Sequence, residues 1–128
     1  MESVSEFEFS VVSKQLTQSI PKEIKKKEGI FFTPPNTVCR MLELLKPHLK
    51  DISRVLEPCC GSGEFIRELH HRYPSAVITG VEKNKTILNS IECLSNNQIN
   101  ILESDFLNQQ FLNLFDLIIG NPPFFVIR

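Results

Sequence analysis

Apolar positions along this chain repeat with two alternating periods. Short runs with hydrophobic neighbours side by side are followed by stretches in which they recur every three or four residues. Arg54-Val55-Leu56-Glu57 reads as a short buried strand, and Phe65, Ile66, Leu69 and Tyr73 follow at helical spacing until Pro74. Residues 76–82 predict a second strand, and Ile87, Leu88, Ile91 and Leu94 a second helix. A third strand falls at 99–102 and a fourth at 115–119, where Leu117, Ile118 and Ile119 are contiguous and read as buried on both faces. Upstream, Val38, Met41, Leu42, Leu45 and Leu49 mark another helix. It is expected to open at Thr33-Pro34, with the hydroxyl as cap, and to end or kink at Pro47. Strands alternating with helices predict an α/β domain of parallel βαβ units with helices on both faces. Before residue 25 the pattern is weak. Phe7, Phe9 and Val11 alternate like a short strand, then serines and glutamines dilute the signal and Pro21 breaks it. Residues 1–24 therefore read as an extension, and 25–128 as the domain.

Composition narrows the classes. A length of 128 residues allows one small domain, and 41% hydrophobic with 23% charged residues is ordinary for a globular chain. The net charge of −1 shows no global excess of cations for nucleic acid. Lys25-Lys26-Lys27 lies between Glu23 and Glu28 and reads as a solvated face, with contact to phosphate as the alternative. Cys39, Cys59, Cys60 and Cys93 match no zinc spacing and read as reduced thiols; His48, His70 and His71 have no carboxylate arranged with them. No metal site is expected. No apolar stretch reaches the roughly 18 residues of a membrane span. The start of the chain, with Glu2, Glu6 and Glu8, lacks the basic end of a signal peptide. The expected location is intracellular, in the cytoplasm.

Candidate chemistry concentrates at the ends of the expected strands, where open parallel sheets bind ligands. Glu57-Pro58-Cys59-Cys60-Gly61-Ser62-Gly63 follows the first strand, and its glycines let a ligand approach the backbone. Glu82 ends the second strand nineteen residues past Gly63, where an acid takes both hydroxyls of a ribose. Asp105, followed by Phe106, stands beyond the third strand and can accept from an adenine amino group. The loop lacks the third glycine of a pyrophosphate-binding turn and has no Gly-Lys-Ser/Thr. Glu57 at its mouth repels anions and suits an ammonium. An amino acid at one end and an adenosine at the other describe S-adenosylmethionine. After the fourth strand comes Asn121-Pro122-Pro123-Phe124, a stiff turn rich in acceptors. The Asn121 side-chain oxygen and the Pro122 carbonyl can both accept from one exocyclic amine, while Phe124 stacks on its ring. That chemistry suits methylation of an amino nitrogen.

With these motifs in hand, the chain resembles the class I S-adenosylmethionine-dependent methyltransferases, specifically the N6-adenine DNA methyltransferases whose cofactor motifs precede the catalytic one. Lys27-Glu28-Gly29-Ile30-Phe31-Phe32-Thr33-Pro34 is similar to the amino-terminal cofactor motif, and 57–63 to the glycine loop. Gly80-Val81-Glu82 and Ser104-Asp105-Phe106 resemble the ribose and adenine motifs, and Asn121-Pro122-Pro123-Phe124 the catalytic turn. The five occur in the family's order over residues 25–127. The resemblance implies a partial Rossmann-like sheet of about four parallel strands in the order 3-2-1-4, consistent with right-handed crossovers. The helix over 33–49 is expected beside the cofactor cleft. It further implies cofactor contacts from Phe32, Thr33, Glu57, Pro58, Cys59, Gly61, Gly63, Glu82, Lys83, Asp105, Phe106 and Asn121. Asn121, Pro122, Pro123 and Phe124 would hold an adenine flipped from duplex DNA.

The family's fold has three further strands, and its DNA enzymes add a target-recognition region. The chain stops seven residues after Asn121. A fragment, one half of a split enzyme and a relic that keeps the cofactor site are all open, and a complementing chain is one expected partner. Slow or undetectable DNA methylation is expected of the chain alone. Related alternatives are methylation of guanine amines in ribosomal RNA or of a glutamine amide on release factors. A non-catalytic cofactor-fold subunit is the alternative of another class.

Overall fold

The structure, a computed structural model, describes residues 10–123. Five α-helices and four strands run in the order α1 Val11–Ser19, α2 Lys22–Glu28, α3 Pro35–Leu45, β1 Arg54–Glu57, α4 Glu64–Arg72, β2 Val77–Glu82, α5 Lys85–Ile91, β3 Ile99–Glu103 and β4 Leu117–Ile118. Single 3₁₀ turns occupy Lys46–His48, Glu92–Leu94 and Phe106–Asn108. The strands form one parallel sheet in the order β3-β2-β1-β4, as expected. Register pairs Glu57 with Gly80 and Glu82 with Glu103, so the carboxyl ends of β1, β2 and β3 finish on one edge.

The core forms because neighbouring strand residues are buried on both faces. Val55 and Leu56 of β1 are both buried, as are Ile78 and Val81 of β2. Val38 and Leu42 of α3, Phe65, Ile66 and Leu69 of α4, and Ile91 of α5 pack with Val55 and Ile78. Arg72 ties α4 to α3 through Glu43 at 2.6 Å and to Glu68 in its own helix at 2.7 Å. β4 is held at its start by Asp116, whose carboxylate accepts from Ser53 N at 2.8 Å, Arg54 N at 2.9 Å and Ser53 Oγ at 2.9 Å. Those three donors lower the Asp116 pKa below the usual carboxylate range.

Four sequence expectations change. Val11 begins a helix instead of ending a strand: Ser10 Oγ accepts from Ser13 N at 3.1 Å, and Leu16 and Ile20 bury one side of the segment. Phe7 and Phe9 lie outside the described residues. Thr33 does not cap α3, which follows Pro34 with no side-chain cap; its hydroxyl is engaged elsewhere. The cleft is flanked by the segment before α3, while α3 itself packs on α4. Finally, β4 is only two residues long and Ile118 is 62% exposed, because among the described residues nothing pairs with its outer edge.

Ile66 is fully buried, with its Cδ1 filling the space over Gly80. Truncation there leaves a cavity at the sheet–helix contact. Ile66→Ala should destabilise the fold by about 2–5 kcal/mol in urea unfolding; a loss under about 1 kcal/mol would contradict this packing.

Candidate functional site

A cleft of about 350 Å³ opens along the carboxyl edge of the sheet. Pro58, Cys59 and Gly61 wall it from the loop after β1, and Val81, Glu82, Lys83 and Asn84 from the end of β2. Ser104, Asp105 and Phe106 enter from beyond β3, residues 28–32 from the opposite side, and Asn121, Pro122 and Pro123 close one end. Parallel register is what gathers these segments: Cys60 N donates to Val81 O at 2.9 Å, and Ser104 N to Glu82 O at 3.1 Å.

Glu82 is the most connected acid of the cleft. One carboxylate oxygen accepts from Gly61 N at 3.0 Å and the other from Asn84 N at 3.1 Å. Burial raises its pKa, and the backbone donors at Asn84 and Gly61 oppose that rise. Asn84 in turn caps α5 by accepting from Ile87 N at 3.1 Å, and its Nδ2 donates to Glu28 at 2.7 Å. Asp105 accepts from Leu107 N at 3.0 Å, which turns the chain so that Phe106 also lines the cleft.

Glu57 and Gly63, both expected on the wall, stand behind it. Glu57 is 1% exposed and its Oε1 accepts from Cys59 N at 3.0 Å, beneath the loop. A Cβ on Gly120 would collide with the Glu57 carboxylate, so the approach to Asn121 requires glycine there. Burial above all, with Glu82 nearby, pushes Glu57 up to about 8. Burial and then the same acids push the Cys59 thiol up to about 11, which leaves it protonated and a poor nucleophile. Gly63 precedes α4 at φ 83°, and a Cβ there would meet Leu94 Cδ1 at 2.6 Å.

Phe32 lines the cleft, and Thr33 and Asn121 meet beside it. Asn121 Nδ2 donates to Thr33 Oγ1 at 3.2 Å, joining the segment before α3 to the turn after β4. With its amide nitrogen engaged, Asn121 keeps Oδ1 as an acceptor. Pro122 and Pro123 are exposed at the cleft's end. Phe124 lies outside the described residues.

Sequence reasoning missed the support from α1. Ser13 Oγ is 2.5 Å from both Ser62 Oγ and Glu64 Oε1, and Ser10 N donates to the same carboxylate at 3.0 Å. A serine has one proton, so Ser13 donates to the carboxylate and accepts from Ser62. Arg67 Nη1 adds a bond to Ser62 O at 2.7 Å. The only available signal was the spacing of Val12, Leu16 and Ile20, which places one helical face against Ile87 of α5.

A family model described as N-6 DNA Methylase matches residues 8–126. The chain is 35% identical over 125 residues to the modification methylase CviBIII of Paramecium bursaria Chlorella virus NC1A, covering 93% of this chain and 32% of that protein. It is 36% identical over 110 residues to the type II methyltransferase M.CvrRI of Paramecium bursaria Chlorella virus XZ-6E, covering 81% of this chain and 27% of that one. The chain thus spans about a third or less of these relatives. Among solved structures, coclaurine N-methyltransferase bound to N-methylheliamine and SAH matches at 20% identity with a TM-score of 0.56, over 70% of this chain and 28% of that one. That likeness is one of fold.

The buried Glu57 carboxyl makes stability depend on pH. Its pKa is raised in the folded state, so between the ordinary 4.5 and about 8 the folded chain holds a proton that the unfolded chain releases. Stability is therefore lost as pH rises through that window, by on the order of a few kcal/mol. Urea unfolding at acidic and at mildly alkaline pH should show this slope. Glu57→Gln, which keeps an acceptor for Cys59 N–H, should flatten it. Equal slopes in the two proteins would remove Glu57 as the cause.

Proposed function

This chain belongs to the N-6 DNA methylase family, and we propose that it carries the cofactor-binding and amine-presenting half of an S-adenosylmethionine-dependent enzyme that methylates adenine N6 in DNA. The observation that carries this reading is the arrival of Asn121, bonded to Thr33, at the end of the cleft that Gly61, Glu82 and Asp105 line. The printed functions of its relatives, a modification methylase and a type II methyltransferase, support DNA as substrate. The SAH held by coclaurine N-methyltransferase supports the cofactor.

The donor set fits that cofactor. Each Glu82 oxygen already accepts one backbone N–H. A carboxylate has about four lone-pair sites, so two remain for the paired hydroxyls of a ribose. Asp105 and Phe106 line the same cleft and offer an acceptor for an adenine amine and an apolar face for its ring. The acids of the cleft favour a cationic ligand, and the sulfonium supplies the electrophilic methyl. Asn121 Oδ1 and the Pro122 carbonyl accept from the target amine and orient its lone pair. Bonding to Thr33 restricts rotation of the Asn121 amide, and orientation is the chief factor this site contributes. The amine is neutral, so its proton leaves after attack and no strong base is needed.

A further segment, on this chain or a complementing one, belongs against β4. Ile118 on that strand and Leu112 and Leu114 just before it are exposed. An apolar edge left unpaired among the described residues calls for a neighbour. Such a segment would also bring the base-edge contacts that DNA recognition needs.

Calorimetry with S-adenosylmethionine or S-adenosylhomocysteine tests the cofactor reading. Glu82→Ala should weaken binding by about 1.5–3 kcal/mol for each charged hydrogen bond lost; unchanged affinity in a folded variant would take Glu82 out of the site. Labelled methyl transfer to adenine-containing duplex tests the reaction, and Asn121→Ala should abolish it. Turnover by the 128-residue chain should be slow, because only two paired residues of β4 stand behind the Asn121 turn. Rapid turnover would show that this turn needs no further support.

A further inference from the structure

We propose that the groove between α1 and α2 binds a single-stranded stretch of DNA beside the target base, a proposal that rests on the DNA reading above. The groove encloses about 460 Å³ and lies across residues 30–32 from the cofactor cleft. Phe31 is 65% exposed and borders the cleft, the small cavity at Asn121 and the groove. A strand lying in the groove is therefore led over that ring to the catalytic turn.

Charge separates the two cavities. Lys14 of α1 and Lys25 of α2 line the groove, and among its described lining residues there is no carboxylate. The cleft instead carries Glu28, Glu82 and Asp105, with Lys83 the one cation among its described lining residues. Phosphates are thus repelled from the cleft and attracted to the groove, although the whole chain has a net charge of −1. Lys25 Nζ donates to Thr17 O at 2.9 Å, which fixes its position and leaves two N–H donors for a phosphate oxygen. Thr17 and Gln18 add hydrogen-bonding groups along the same wall. An exposed ring between cations is the platform on which an unstacked base rests. A base within duplex stacking offers no such face, and extrusion of the target nucleotide disturbs the stack next to it.

The test is fluorescence anisotropy of a short labelled single-stranded oligonucleotide with the whole chain, titrated over a range of salt. Lys25→Glu should weaken binding and reduce the slope of log affinity against log salt by about 1. Lys26→Glu makes the same charge change on α2 outside the groove lining and should weaken binding far less. Phe31→Ala should weaken it roughly fivefold or more through lost stacking. Calorimetry with S-adenosylhomocysteine reports folding and the cofactor cleft, and Lys25→Glu should leave that affinity unchanged. Oligonucleotide binding that is equally sensitive to Lys25→Glu and Lys26→Glu, or insensitive to both, would overturn the groove and leave the DNA reading standing. No oligonucleotide binding, single-stranded or duplex, with the cofactor bound normally would overturn both. Self-association abolished by Lys25→Glu in place of DNA binding would assign the groove to a second copy and overturn the proposal.

Discussion

Two backbone N–H groups, from Gly61 and Asn84, converge on the carboxylate of Glu82, and the cleft takes its form from that convergence. Gly61 belongs to the loop after β1, and Asn84 to the turn that starts α5. Without the acid, both donors would be left without their partner, at a cost of about 1–3 kcal/mol for each one kept from water. The cleft's two neighbouring walls would then lose their common anchor. Glu82 can occupy this point only because parallel pairing brings the end of β2 level with the end of β1. The same pairing sets Ser104 beside Glu82 and so delivers Asp105. The acid proposed to hold the ribose is therefore also a structural acid, and its bonds to the backbone are made without any ligand.

The support continues outward from the glycine loop to the first helix. Ser62 is held by Ser13 and by Arg67, and Glu64 by Ser13 and the Ser10 amide. The two Ser13 contacts are buried and join residues about fifty positions apart in the chain, so they strengthen with the low local dielectric. Beside them Leu16, Ile20 and Ile87 close an apolar cluster with Ile30 and Phe32 on its margin. The helix thus acts on the cleft at two places, through the polar bonds to the loop and through the packing beneath Phe32.

What the sequence disclosed follows from the range of the forces involved. The βαβ order was legible because each strand and helix declares itself by local periodicity, and right-handed crossovers then restrict the topology. The places of Glu82 and Asp105 on the cleft were legible because one ends a strand and the other follows two residues after one. Thr33 was misjudged because a hydroxyl before proline satisfies the local rule for a helix cap, whereas its partner, Asn121, is 88 residues away. Glu57 was expected on the wall because its position in the motif is at the loop's mouth. Its carboxylate turns under the loop toward Cys59 N, a choice no local pattern reveals. Residues 11–20 looked uninformative since their serines and two glutamines mask three apolar positions spaced four apart, and since the polar partners lie on the glycine loop and another helix. Ile118 was read as buried from its neighbours alone, but burial of a strand depends on what stands across it.

On the proposed reading, the distribution of charge lets a nearly neutral chain serve a polyanionic substrate. Affinity for nucleic acid depends on the local field where phosphate lies, so net charge is a poor guide when opposite charges are segregated. Here the acids gather at the sheet edge, around a cleft that suits a cationic ligand, and Lys14 and Lys25 line the groove on the other side of Phe31 and Phe32. The two aromatic residues form the partition between these fields. The exposed Phe31 ring on the partition gives a neutral surface over which, on the proposed reading, a base passes from the cationic side toward Asn121. A cation placed at Phe31 would instead draw phosphate to the lip of the acidic cleft, where the carboxylates oppose it. A neutral ring at this position reconciles entry of a base with exclusion of its backbone.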